Sequence, residues 1–198
     1  MVHALTTTHE NALQMLIDGN QRYINDMAEH PHQSAERRAE VLPSQHPFAI
    51  ILSCADSRVP PEVFFDQGIG DLFIIRNAGN ILDDVVIGSI EYGVEHLGVP
   101  LIVVLGHTKC GAVTATVHGN GQAPGHICSI VETITPAVEA TRGLAGDPVW
   151  NATMANIRLS VHKLKHCGPF ISEFVQRGHV KVVGAIYHLD SGMVEFLK

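Results

Sequence analysis

The sequence has no apolar run approaching the length of a membrane span, and Met1 to Asn11 contains no basic segment followed by an apolar stretch. Both absences speak against a membrane-spanning or exported protein and predict a cytoplasmic one. Positive charge is scarce as well: 13 Lys and Arg against 20 Asp and Glu give a net charge of -7. Binding phosphates would call for a clustered basic excess, so neither nucleic acid nor a membrane surface is expected as a partner. Cysteine is sparse, with Cys54, Cys110, Cys128 and Cys167 the only four. Four thiols in a chain of 198 residues do not make a disulfide scaffold, and metal binding or catalysis is the better default. Repeats and low-complexity tracts are missing too.

What remains is a composition 45% hydrophobic, enough for one sizeable core and too short for two ordinary domains. A single domain over 1–198 is expected, with 1–45 forming an N-terminal helical arm and linker. The arm opens with a capping box, Thr7-Thr8-His9-Glu10, followed by Leu13, Leu16, Ile17, Tyr23, Ile24 and Met27 at helical spacing. It either packs on its own body or lies on a partner subunit. From Glu29 to Gln45 the chain is polar, with prolines at 31 and 43, which predicts a linker or a short irregular helix.

Beyond the linker, β-branched and aromatic runs predict strands at Phe48–Leu52, Leu72–Ile75, Leu101–Leu105 and Val180–Tyr187. Helical stretches lie between them at Asp83–Leu97, Cys110–Val117, Ile127–Thr141 and Pro148–His166. Continuous apolar strands alternating with helices predict an α/β fold: a mostly parallel central sheet of four strands with helices on both faces. A fifth strand near Met193–Leu197, reached by a short turn, is expected antiparallel at an edge.

In such sheets, ligands bind outside the carboxyl ends of the strands. Three loops follow strands there: Cys54-Ala55-Asp56-Ser57-Arg58, Arg76-Asn77-Ala78-Gly79-Asn80 and His107-Thr108-Lys109-Cys110-Gly111. Neighbouring parallel strands lie about 4.8 Å apart, so Cys54 and His107 can converge despite their separation in sequence. His107 and Cys110 sit three apart where a strand turns into a helix, whose N-terminus favours a thiolate. Two thiolates and an imidazole suit zinc, and three protein ligands rather than four leave a position for water or substrate. Any one of these residues alone reads as a core residue; the three on one edge do not. The other histidines mostly stand singly among polar residues, as solvated surface histidines do.

The pair of motifs Cys54-x-Asp56-Ser57-Arg58 and His107-x-x-Cys110 resembles the signature of the β-carbonic anhydrases, and the likeness runs from about Gln45 to Gly111 and loosely over most of the chain. The resemblance implies one Zn2+ per chain on Cys54, His107 and Cys110, and reversible hydration of carbon dioxide to bicarbonate. It implies Asp56 and Arg58 as a catalytic dyad beside the metal, the arginine holding the carboxylate where it can orient the nucleophile. It also implies Gln45 as a substrate-pocket amide, Phe73, Ala78 and Tyr92 as pocket walls and Gly111 as a backbone position near the metal. Gln45, Phe73 and Tyr92 would come from the neighbouring chain of a homodimer, with a tetramer as a further step. One departure matters. A subclass of the family carries a tryptophan three residues before the first cysteine ligand, as part of a non-catalytic bicarbonate pocket; here that residue is Ile51, although Arg76 and Tyr187 resemble the pocket's other members. Cys128 and Cys167 match no family role and are expected in the core. Hydrolysis of carbonyl sulfide or carbon disulfide on the same scaffold is the nearest alternative activity, and a non-catalytic zinc protein the alternative of another class.

Overall fold

The computed structural model describes residues 7–119 and 121–197. Its strands are β1 (Ala49–Cys54), β2 (Leu72–Asn77), β3 (Leu101–His107), β4 (Lys181–Tyr187) and β5 (Val194–Phe196), in the order β2-β1-β3-β4-β5. The first four pair in parallel, and β5 runs antiparallel to β4 over Ala185–Tyr187, as the strand and turn pattern predicts. The helices are α1 (His9–Ile24), α2 (Ala35–Glu40), α3 (Pro61–Phe64), α4 (Asp84–Glu95), α5 (Gly111–His118), α6 (Ile127–Ala140), α7 (Pro148–His166) and α8 (Pro169–Gln176).

Side chains alternate across a strand, so each central strand feeds two cores at once. Ile50, Leu52, Ile102, Val104, Val182 and Ile186 point to the face covered by α4, α7 and α8, through Val86, Ile90, Ile157, Leu164 and Ile171. Ala49, Ile51, Leu101, Val103, Leu105 and Ala185 point to the other face, against Ala12 and Leu16 of α1 and against Phe64 and Phe65. Every residue of β1 and β3 is buried, which explains why these two strands read as unbroken apolar runs.

The structure departs from the sequence reading at the start of α1, in two added helices and at two cysteines, and it specifies the arm and the linker, which the sequence left open. The N-cap of α1 is Thr8, whose hydroxyl accepts from the Asn11 amide at 3.2 Å, one residue later than the capping box implied. The arm helix lies on its own sheet: Gly19 comes so close to the Phe65 carbonyl that a Cβ would sit 1.8 Å from that oxygen. The polar linker is pinned by two carboxylates, Asp66 accepting from Arg22 Nε at 2.6 Å and from the Glu29 and His30 amides, and Asp71 from His32 Nδ1, Arg37 and the Gly68 amide. Helices α3 and α8 are additions, each begun by a proline whose fixed φ suits a first helical turn. Of the two unassigned cysteines, Cys167 packs beside the core and Cys128 is only partly buried, so neither is a full core residue.

Buried Asn20 joins the two ends of the chain. Its amide nitrogen donates to the Phe64 and Gly192 carbonyls at 3.0 and 2.9 Å, and its oxygen accepts from the Val194 amide at 2.8 Å. Asn20→Ala strands these three backbone groups, and we expect it to lower stability by about 1–3 kcal/mol, read as a reduced urea midpoint. An unchanged midpoint would show that water substitutes for the side chain.

Candidate metal centre

Cys54 is the last residue of β1 and His107 the last of β3, and these strands are parallel neighbours in the sheet. Cys110 caps the N-terminus of α5. Between them Thr108 is tied to β4 and its following loop, donating its amide to the Tyr187 carbonyl and accepting at Oγ1 from the Leu189 amide, both at 3.0 Å. Lys109 turns the chain through a left-handed conformation, φ 56°, that costs a non-glycine residue energy and is found where a site dictates the backbone. The turn brings one ligand atom from each of Cys54, His107 and Cys110 within 4.8 Å of one another, all three residues being buried.

The chemistry of this cluster fits a divalent cation. His107 Nδ1 lies 3.0 Å from the Thr108 carbonyl, which can only accept, so the proton sits on Nδ1 and the lone pair on Nε2. That Nε2 is buried and has no hydrogen-bond partner among the described residues. The two sulfurs stand 4.0 Å apart. A hydrogen bond from Cys110 holds the Cys54 thiol far below its ordinary pKa against the cost of burial, helped by His107 and the amides of Gly79 and Asp56. The same bond, burial and the Cys54 charge push Cys110 up. By themselves the two thiols keep one proton between them; a cation with charge +2 lets both ionise and gives Nε2 its partner.

Close packing sets the surroundings. Gly79 (φ 80°) donates its amide to Cys54 Sγ at 3.4 Å, and a side chain there would collide with Ile134 and Ala112. Asn156, buried on α7, donates to the Gly79 carbonyl at 3.0 Å and so fixes that turn from behind. Beside the sulfurs, Arg58 Nε and Nη2 grip both oxygens of Asp56 at 2.9 and 2.8 Å, and the Arg58 amide adds a bond at 3.0 Å. The Arg58 guanidinium holds the Asp56 carboxyl well below the usual carboxylate range, outweighing desolvation. Arg76 forks onto the carbonyls of Cys54 at 3.0 Å and Asp56 at 2.6 Å, steadying the peptides that follow these two residues.

The remaining residues singled out in the sequence lie in different places. Ala78 and Gly111 are exposed at the same sheet edge, one beside Gly79 and the other opening α5. Gln45 is exposed before the opposite end of β1, whose length alone spans roughly 17 Å. Phe73 sits near the start of β2 with its ring centroid 6.3 Å from that of Tyr92, which is 46% exposed; neither belongs to the cluster of sulfurs and imidazole in its own chain. Of the trio suggestive of a bicarbonate pocket, Ile51 is fully buried, Tyr187 is stacked on Phe64 at 4.2 Å, and Arg76 directs its fork to loop carbonyls. Sequence reasoning flagged the Arg76–Asn80 loop but missed the roles of Arg76 and Gly79 within it. Asn156, mid-helix among ordinary helix formers, gave no signal.

Comparison with known proteins agrees with this geometry. The sequence pattern of the carbonic anhydrase family matches residues 49–194. A carbonic anhydrase of Mycolicibacterium smegmatis is 42% identical over 187 residues, covering 93% of this chain and 91% of the relative. A β-carbonic anhydrase from Coccomyxa, solved with acetazolamide, superposes with TM-score 0.75 at 27% identity, over 93% of this chain and 86% of that one. A tetrameric β-carbonic anhydrase of Sordaria macrospora shares the fold at 23% identity and TM-score 0.75, over 94% of this chain and 97% of that one. The match thus begins with the first residue of β1 and ends at the first of β5, enclosing both thiols, the imidazole and the sheet that gathers them, and the chain belongs to the carbonic anhydrase family, in its β class.

Proposed function

We propose that this chain catalyses the reversible hydration of carbon dioxide to bicarbonate and a proton, with one zinc ion held by Cys54, His107 and Cys110. The observation that carries the proposal is the buried, unpartnered Nε2 of His107 facing two sulfurs in a three-donor cluster, since catalytic zinc sites keep one position free of protein ligands. Zinc bound there supplies the polarisation that makes water nucleophilic near neutral pH. The chain's own residues do the rest. The Thr108 carbonyl fixes the His107 tautomer, and the Gly79 amide helps hold Cys54 as thiolate. Asp56, ionised and gripped on both oxygens, is the oriented acceptor for the nucleophile's proton, and Arg58 keeps it from turning toward the sulfurs. Ala78 and Gly111 line the mouth on the same side.

We read the protein as a homodimer. Gln45, Phe73 and Tyr92 lie away from the sulfurs of their own chain, so a pocket built from them takes them from a second copy; α1, docked on its own sheet, lends no support to an exchanged arm. Pairing of dimers into tetramers is the further step that the Sordaria relative suggests. We place the protein in the cytoplasm, a reducing setting that suits its four free cysteines; no described helix is long and apolar enough to cross a membrane. The two cores share one sheet, which supports a single folding domain.

Three outcomes are expected. Cys54→Ser and His107→Ala each lose bound zinc and bring hydration to the uncatalysed rate, measured by metal analysis with stopped-flow; full zinc occupancy in either would overturn the ligand set. Sedimentation should find dimers or larger, and a fully active monomer would remove the shared pocket. The third outcome concerns pH. Asp56 titrates below the ordinary value of about 4, so the stability from its ion pair is present above that pH and is lost only as pH falls through the depressed folded value. It is therefore ionised throughout the working range. Turnover should rise through a midpoint above the roughly 7 of carbonic anhydrases whose zinc is held by three neutral histidines, because two thiolates offset the metal's charge. Asp56→Asn should lower kcat/KM about 10- to 100-fold without moving that midpoint; a shifted midpoint would assign the titration to Asp56.

A further inference from the structure

Helix α7 holds a feature that the sequence reading passed over when it took the histidines other than His107 as isolated. His162 and His166 are one turn apart on the same face, both exposed, with ring centroids 4.3 Å apart and planes 29° from parallel. His166 Nδ1 lies 2.8 Å from the His162 carbonyl. A carbonyl only accepts, so the proton is on Nδ1 and Nε2 carries the lone pair. This arrangement, one ring N–H bonded to a backbone carbonyl and the other nitrogen free, is how metal-bound histidines are usually held, and His107 shows it too.

We propose that His162 and His166 form a second metal site, on the surface of α7, that chelates a borderline divalent transition ion through one ring nitrogen from each. Two imidazoles at positions i and i+4 of a helix can reach one ion without moving the backbone, the spacing used by helical zinc motifs. Nitrogen donors favour nickel, copper or zinc over magnesium or calcium, which prefer oxygen. With two protein ligands the remaining positions go to water, so the site is weaker than the buried cluster. The neighbouring Lys163 and Lys165 lower its affinity further without closing it, because their charges sit on flexible stems in water and are screened over about 10 Å at ordinary salt. The site is remote from the carbon dioxide chemistry in the sequence of contacts: α7 reaches the metal centre through Asn156, whereas the pair occupies the last turns of the helix. One consequence is that zinc supplied in excess should exceed one ion per chain.

The test is calorimetric titration of the zinc-loaded protein with Ni2+, which avoids the redox chemistry of copper with thiols. One nickel ion per chain is expected, and His162→Ala and His166→Ala should each weaken binding by at least about tenfold, since each removes the advantage of a second donor already in place. Both positions are exposed, so melting temperature without nickel and hydration rate should match the parent. If the parent takes up no nickel, or if both variants titrate like the parent, the site does not exist. Nickel uptake accompanied by loss of zinc would place the ion at Cys54, His107 and Cys110 instead and equally overturn the proposal.

Discussion

Two sulfurs 4.0 Å apart in a buried setting cannot both carry charge without a cation, and the arrangement of the catalytic edge follows from that constraint. A thiolate pair of this kind is expensive to bury alone and favourable to bury around a dication. A hydrogen bond between the sulfurs, then the imidazole of His107 and the amides of Gly79 and Asp56, lower the cost of the first negative charge. A second negative charge on the pair needs a cation beside it.

Holding the sulfurs so near demands unusual backbone, and the chain provides it in three adjacent loops. Gly79 approaches closer than a side chain would allow, Lys109 turns through a left-handed conformation, and the peptides around Ala55 are pinned by the fork of Arg76. Each loop follows a strand that is itself fixed by two cores, so the strained segments hang from the stiffest part of the molecule. Asp56 shares this anchoring: Arg58 grips both oxygens of its carboxylate, and Arg76 of β2 ties down its carbonyl.

Much of this could be read from the sequence. Unbroken apolar runs announced β1 and β3, and the alternation with helices gave the parallel sheet, since both faces are covered. Cys54, His107 and Cys110 were legible because metal chemistry restricts residue type and because strand ends share an edge. Arg76, Gly79 and Asn156 were not legible as partners, since their function is exerted through backbone atoms that any sequence supplies. The docking of α1 was open for a related reason: an amphipathic stripe says that a face is buried but not against whom, and the decisive contact is Gly19 against a carbonyl. His162 and His166 were legible once α7 was drawn, but their spacing carries meaning only on a helix.

Asn20 gives the chain an order of assembly. Two of its three partners, Gly192 and Val194, lie 172 and 174 residues further on. At roughly 5–20 residues per second, translation delivers those partners only after about ten seconds or more. Until then α1 can rest on the growing sheet through Gly19 and the bond from Asn20 to the Phe64 carbonyl, without the two bonds that tie it to the turn before β5. Residues around Gly192 and Val194 therefore secure a helix made about 170 residues before them, and a late segment closes onto an early one.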